Sequence, residues 1–472
     1  MPKKNPGFRI FLFLFAAAAV FGQGEQRYQK GAVLDDQVYS MLPRKATLSS
    51  SIYKGMPDSF SLKQFAPLPG DQADYGTSVA WASAYAARTI AESVALYRTN
   101  PEETTRNVFS PAYVYRRTRP DDPGCREGVR ICLALNFMRD SGAVRMLEIE
   151  QSTDFPEVDL SHYRESEKHS IAGYVTLISK EDRQRQTIVT RIVKKSLTEG
   201  KPVIIGMNTP DSFFRAKGVW EPRDNPDTIY SGHAMCVVGY DDNKNGGSFE
   251  IINSWGREWG NNGFIWITYK AFADFVKEAY ELSEDLAGFN NTVKFNGYAR
   301  IEIPDRGSSK PVALALSPEG YYKTDVLSEG IHFYFILGVR ESAYVYTFLV
   351  SQSSGNSSFQ SPVLIFPQTG VSPLLDYSES VINLPAENKA FALDDESGTE
   401  YLVTLYARQT LNIQAVMRSF NSSRGSIRER LSAAVGRNLL PELSFNEADA
   451  SFSAQTDNAQ AVAALIVAIE HK

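Results

Sequence analysis

The chain has 472 residues, of which 43% are hydrophobic and 22% charged. This composition is ordinary for a globular protein, but the length is too great for one compact core, so we expect at least two domains. The net charge of −6 is spread along the sequence and forms no basic patch, which argues against a nucleic-acid partner.

Residues 1–22 have the pattern of a cleavable export signal. Lys3, Lys4 and Arg9 precede an apolar run over residues 10–21, and Gly22 marks a cleavage site. The run is short for a bilayer span, although an uncleaved membrane anchor stays open as an alternative. We expect a secreted or periplasmic protein of the bacterial cell envelope, without a membrane span after signal cleavage.

Three cysteines are few for an exported protein that depends on disulfides. If Cys125 and Cys132 lie on one helix, their spacing of seven residues separates them by about 10 Å, which is beyond disulfide reach. We therefore predict free thiols.

The N-terminal half predicts an α+β domain over residues 58–290, preceded by an extended lead-in over residues 23–57. Helix-favouring sequence covers residues 78–96, 129–140 and 182–199. Short apolar runs bounded by turn residues then predict buried strands at 202–206, 234–239 and 249–252. Helices followed by strands are typical of segregated layers.

The C-terminal half predicts a small β-rich domain of unknown function over residues 291–415 and a helical segment over 416–472. Residues 344–349, 363–367 and 400–405 read as strands. Ser426 and Glu429 form a capping-box pattern, and an alanine-rich stretch from Asp457 to Ile469 predicts a final helix.

Four residues supply the groups that acyl transfer at a peptide bond requires. Ser78, at a predicted helix N-terminus, offers a hydroxyl and a backbone N–H for an oxyanion. Gln72, in the loop before it, offers a second donor. His233, between Gly232 and a predicted strand, is the candidate base, and Asn253 can orient its ring. We predict that these four residues form one catalytic group.

These segments resemble the papain family of cysteine peptidases, in a form found among bacterial members. Residues 72–82 resemble the segment around the active cysteine, residues 231–240 the histidine segment, and residues 253–264 (NSWGREWGNNGF) the asparagine segment. Residues 124–128 are similar to the turn that binds the substrate backbone.

The resemblance covers about residues 58–285 and implies the fold and the substrate class. The expected fold is a two-lobed domain with a helical left lobe and a β-barrel-like right lobe. Gly76, Gly128 and Trp255 would belong to the substrate-binding cleft, with Trp255 also shielding the contact between His233 and Asn253. Peptides or proteins would be the substrates or ligands, and neither a metal nor another cofactor is expected.

The sequence departs from the family pattern in three places. Ser78 stands where the family has its nucleophilic cysteine. Tyr75 stands where a cysteine usually pairs with the one matching Cys125. The lead-in is shorter than a folded inhibitory prosegment, which implies that any activity would need no zymogen processing.

The exchange of cysteine for serine predicts that peptidase activity is lost or weakened. A thiol with a pKa near 8.5 becomes a thiolate beside a histidine and a helix N-terminus, whereas the hydroxyl of Ser78 must lose its proton to a base during attack. The neutral Asn253 stabilises the resulting imidazolium less than a carboxylate would.

Three functional hypotheses follow. The first is a papain-fold pseudoenzyme that retains a peptide-binding cleft, and the second is an active hydrolase that uses Ser78, His233 and Asn253. The third is a cell-envelope interaction protein that uses the fold as a scaffold. The retained Gln72, His233 and Asn253 argue against a pure scaffold, because a scaffold needs no base.

Overall fold

The computed structural model describes residues 28–149, 163–283, 292–355 and 358–472. The predicted export signal and the predicted domain boundary at residue 290 lie outside these ranges. Within them, no helix is both long enough and apolar enough to cross a membrane.

The N-terminal domain places helices beside one sheet, which confirms the predicted α+β class. The three predicted helices are present, and the one that begins at Ser78 contains a stretch with the wider π-helical pattern. The α-helices and the π-helical stretch of this half are Asp36–Met41, Ser78–Ala80, Trp81–Arg88 (π), Thr89–Ala95, Pro101–Arg106, Pro111–Thr118, Ile131–Asp140, Met146–Ile149, Tyr163–Glu167, Gln186–Thr198 and Tyr269–Phe275. Short 3-10 turns are Ser50–Tyr53, Lys63–Phe65 and Asp211–Arg215.

Eight strands form the sheet of this domain, and the described strands make an open sheet rather than a closed barrel. In spatial order its main path is Gly173–Thr176, Val276–Ser283, Val203–Asn208, Gly232–Asp241, Ser248–Ile252, Phe264–Thr268 and Val219–Trp220. Ser59–Ser61 pairs with Gly232–Asp241 off this path. The strand that carries His233 is therefore central, with Cys236 opposite Ile252 on the next strand.

The C-terminal domain is a pair of seven-stranded sheets that pack face to face. The first contains Val293–Asp305, Ser308–Val312, His332–Val339, Ser380–Leu384, Phe391–Ala392, Ser444–Asn446 and Ser451–Thr456. The second contains Ala315–Leu316, Tyr322–Lys323, Ala343–Ser353, Val363–Phe366, Leu374–Leu375, Gly398–Ala407 and Val462–His471. One hydrophobic core lies between the sheets. A second core lies between the outer face of the second sheet and the helices Ile413–Ser422 and Ile427–Val435.

The predicted helix over residues 457–469 is wrong, because Val462–His471 is a strand inside the second sheet. Along it, Ile466 faces the helices while Leu465 and Val467 face the other sheet. An apolar run buried on both faces is typical of a central strand, and tertiary burial here outweighs the helix propensity of alanine. The capping box at Ser426 is confirmed.

The predicted lead-in joins the two domains and is not simply extended. It contains the helix Asp36–Met41, and its Tyr39 belongs to the N-terminal core whereas its Leu48 belongs to the C-terminal core. Between them, Lys45 Nζ lies 2.6 Å from Asp376 Oδ1 of the C-terminal domain and also contacts Glu281 of the N-terminal domain. The lead-in is therefore a structural part of both domains.

Candidate active site

Ser78 lies at the junction of a loop and the first helix of the domain. The helix Ser78–Ala80 continues into Trp81–Arg88 and Thr89–Ala95. Ser78 is fully buried, and its Oγ accepts a hydrogen bond from the Ala234 amide at 3.2 Å. The helix start thus places the hydroxyl against the strand that carries the candidate base.

His233 lies at the start of strand Gly232–Asp241, where Asn253 and Trp255 fix its ring. Its Nε2 is 2.8 Å from Asn253 Oδ1, and the ring stacks on Trp255 with centroids 4.4 Å apart. Its Nδ1 has no hydrogen-bond partner among the described residues, so the imidazole is not bonded to Ser78. Burial lowers the pKa of His233 to about 3, which makes the ring neutral at pH 7.

Gln72 is buried beside these residues, and neighbouring groups engage its amide. Its Oε1 accepts from Ser254 Oγ at 2.6 Å. Its Nε2 donates to the carbonyl oxygens of Tyr75, at 2.7 Å, and of Gln29, at 3.2 Å. The amide that the sequence predicts to bind an oxyanion therefore donates to two carbonyl oxygens of the chain itself.

The Gln29 carbonyl belongs to the cleft segment, residues 28–33, which crosses the cleft between the helices and the sheet. The Ala32 amide donates to the Gly232 carbonyl at 3.1 Å, on the sheet side. On the helix side, the Val129 amide donates to the Gly31 carbonyl at 3.0 Å. The Val129 carbonyl in turn accepts a hydrogen bond from the Val33 amide at 3.0 Å. Both walls of the cleft therefore hold this segment by its main chain, as they would hold an extended peptide.

Trp255 adds an aromatic contact to the cleft segment. Tyr28 stacks on Trp255 with ring centroids 4.9 Å apart, and Trp255 Nε1 donates to the Gln29 carbonyl at 2.9 Å. Under this cover, Ser78 and His233 have 0% of their surface exposed. The short lead-in nevertheless occupies the cleft, so its length gives no support to the expectation that an activity would need no processing.

Gly76 and Gly128 lie where side chains would obstruct the cleft segment or the turn beside it. A Cβ on Gly76 would come 2.6 Å from a carbonyl oxygen of the facing turn, and one on Gly128 would come 2.5 Å from the Gly31 carbonyl oxygen. Gly128 donates its own amide to the Tyr115 hydroxyl at 2.9 Å. Val129, which the sequence analysis missed, makes the main-chain bonds to the segment instead.

Three further residues of the site, Lys30, Thr209 and Phe214, were not predicted from the sequence. Lys30 donates from Nζ to the Thr209 carbonyl at 2.5 Å, across 179 positions of sequence, and its ammonium lies 4.7 Å from the centroid of the Phe214 ring. No motif links residues so far apart. Only the small pair Gly31-Ala32, in an otherwise polar lead-in, marks the segment as one that can enter a narrow space.

The cysteines do not offer a substitute nucleophile. Cys125, Cys132 and Cys236 all lie in the described part of the chain and are free, which confirms the predicted free thiols, although Cys125 precedes the helix Ile131–Asp140 rather than lying on it. Burial raises the pKa of Cys125 to about 11, so that thiol stays protonated at pH 7. Within the described ranges, no three histidine, cysteine or acidic side chains are placed to hold a metal ion.

We compared the chain with known protein families, curated proteins and solved structures. Residues 80–280 match the model of the papain family cysteine proteases. An uncharacterized peptidase C1-like protein of Acanthamoeba polyphaga mimivirus is 35% identical over 94 residues, which are 19% of this chain and 30% of that protein. Cathepsin K of Gallus gallus is 35% identical over 78 residues, 16% of this chain and 23% of that protein. The chain thus spans less than a third of the length of these curated relatives.

Among solved structures, the fold is similar to that of xylellain, a cysteine protease from Xylella fastidiosa. The two share 20% identity with a TM-score of 0.43, over 54% of this chain and 96% of that one. Procathepsin L 3 of Tenebrio molitor larval midgut is 17% identical with a TM-score of 0.39, over 52% of this chain and 77% of that one. On the sequence match, the chain carries a domain of the papain family of cysteine proteases.

Proposed function

We propose that this protein is a papain-family homologue whose peptidase activity is lost or strongly weakened and whose cleft binds an extended peptide. One observation carries the proposal. The cleft holds residues 28–33 by main-chain bonds to Val129 and Gly232, whereas Ser78 makes no hydrogen bond to the ring of His233. A cleft that holds a main chain in this way, beside a serine that is not bonded to its base, supports peptide binding without cleavage. We also propose that the protein is exported, on the pattern of residues 1–22 alone.

The environment of His233 supports the loss of activity. A serine attacks only if the base takes its proton, and the base must then carry a positive charge. The burial that holds the pKa of His233 at about 3 disfavours that same charge, and Asn253 offers a neutral amide oxygen instead of a carboxylate. Catalysis by Ser78 would therefore combine a weak nucleophile, its hydroxyl, with a weak base, His233.

A second candidate is a hydrolase that uses Ser78. The observation in its favour is the intact contact between His233 Nε2 and Asn253 Oδ1, at 2.8 Å under the ring of Trp255. Movement of the cleft segment would admit water to His233 and restore part of its basicity. This candidate differs from the first only in what happens once the cleft is open.

The test separates the two candidates with four proteins that span residues 23–472. These are the natural sequence, Ser78→Cys, Gly31→Leu and the double variant, each incubated with a denatured fluorescent protein. Leucine at position 31 would displace the segment, because even a Cβ there would lie 2.1 Å from the Gly76 carbonyl oxygen. We expect cleavage by the double variant and none by the natural protein or Gly31→Leu.

Cleavage by Gly31→Leu alone, abolished by a further His233→Ala, would establish Ser78 as a nucleophile and overturn the first candidate. Failure of all four proteins, with the folds intact by circular dichroism, would show that the cleft cannot support cysteine chemistry either. In that case peptide binding must be tested directly.

A further inference from the structure

The cleft segment places a cation in a small site on the sheet side. Lys30 Nζ donates to the Thr209 carbonyl at 2.5 Å, lies 3.6 Å from Asp211 Oδ1 and faces the Phe214 ring at 4.7 Å. Only 11% of the Lys30 side chain is exposed, whereas 89% of the Asp211 side chain is exposed at the rim of the site. A carbonyl oxygen, an aromatic face and a carboxylate are three groups that attract an ammonium or guanidinium.

The next position of the segment has no room for a side chain. A Cβ on Gly31 would lie 2.1 Å from the Gly76 carbonyl oxygen and 2.9 Å from the Thr77 amide nitrogen. Both are main-chain atoms at the start of the buried helix, so they cannot move aside as a flexible side chain would. The cleft therefore accepts glycine at this point.

The third position holds a small, buried residue. Ala32 is 8% exposed and belongs to the core of the N-terminal domain. The facing Gly232 has no room for a side chain, because a Cβ there would come 2.3 Å from the Ala32 carbonyl oxygen. The main-chain bonds around Ala32 form with almost any sequence, so selectivity must come from the side chains at these three positions and from Tyr28, which stacks on Trp255.

We propose that the cleft selects an extended peptide in which a basic residue is followed directly by glycine and then by a small residue, and that residues 30–32 are the chain's own copy of this ligand. The inference rests on the proposed function, since it names the ligand of the same cleft. In the folded chain the internal copy competes with any external peptide, at an effective concentration of the order of millimolar.

The experiment measures fluorescence anisotropy with a labelled peptide of residues 28–35, Tyr-Gln-Lys-Gly-Ala-Val-Leu-Asp. The full chain with Gly31→Leu, whose own segment no longer fits, should bind it at least about 100-fold more tightly than the natural chain does. A peptide with Lys→Glu or with Gly→Leu should bind at least about 10-fold more weakly than the parent peptide, and one with Lys→Arg within about 3-fold.

A second protein variant tests the cation site itself. Asp211→Lys, added to Gly31→Leu, should weaken binding of the parent peptide and strengthen binding of the Lys→Glu peptide, a reversal that general loss of structure cannot produce. If Gly31→Leu does not fold by circular dichroism, the full chain with Lys30→Glu replaces it, because that change places two carboxylates together at Asp211.

The outcomes separate the specificity from the function beneath it. Equal binding of the parent, Lys→Glu and Gly→Leu peptides would overturn the selectivity but leave a peptide-binding cleft. No binding of any peptide to a folded opened variant would overturn both. Tighter binding of the parent and Lys→Arg peptides than of the Lys→Glu and Gly→Leu peptides, together with the reversed preference of Asp211→Lys, supports both the selectivity and the peptide-binding function.

Discussion

Acid should destabilise the N-terminal domain through His233 more than through an ordinary histidine. Its pKa is about 3 in the folded protein, against 6.5 for an ordinary histidine. Between these two values the unfolded chain binds the proton and the folded chain does not, so stability falls as the pH falls. From pH 7 to pH 5 the loss is about 2 kcal/mol, at about 1.4 kcal/mol for each unit below 6.5. The loss continues until the pH approaches 3.

The assay is urea unfolding followed by tryptophan fluorescence, which reports on this domain because all five tryptophans lie between residues 81 and 266. The control is His233→Gln, which removes the titration and leaves every other ionisable group in place. The natural protein should lose about 2 kcal/mol more than the variant between pH 7 and pH 5. Equal losses in the two proteins would refute the buried neutral imidazole and, with it, the argument that His233 is a weak base.

Two further predictions concern the ion pairs between the domains and the core between the two C-terminal sheets. Asp376→Asn should cost about 3–5 kcal/mol in urea unfolding, because Lys45 and Lys201 lose a buried partner; an effect below about 1 kcal/mol would show that the pairs are solvated. Leu465→Ala should lower the free energy of unfolding, measured by urea unfolding, by about 2–5 kcal/mol, because it leaves a cavity between the sheets. The control Gln455→Ala, at an exposed position, should change it by less than about 0.5 kcal/mol. Similar small effects of both would contradict a central strand at residues 462–471.

Local sequence was sufficient where neighbouring residues determine the structure. The alanine-rich stretch after Ser78, the run before Gly200 and the pair Ser426 and Glu429 each specify a helix or its cap within a few residues. The same holds for the buried strand around Cys236. In these elements propensity, capping and burial pattern agree, so the tertiary structure had nothing to override.

The strand Val462–His471 shows where local reasoning fails. Its alanines favour a helix when the segment is considered alone, but the chain pairs it with a strand at each edge and buries both of its faces. Which partner covers an apolar run depends on residues such as Tyr401 and Leu402, some 60 positions away. Burial on two sides outweighs a propensity of less than 1 kcal/mol per residue.

The sequence by itself determined the family and the α+β class, and it predicts a group of Ser78, His233, Asn253 and Gln72, because each is encoded in a short motif. Only the tertiary structure decided that residues 28–33 fill the cleft. That outcome depends on Lys30 meeting Thr209 and on Gly31 fitting against Gly76. Contacts between residues so far apart leave no local pattern, since they are set by steric fit and main-chain hydrogen bonds that form only when the lobes are assembled.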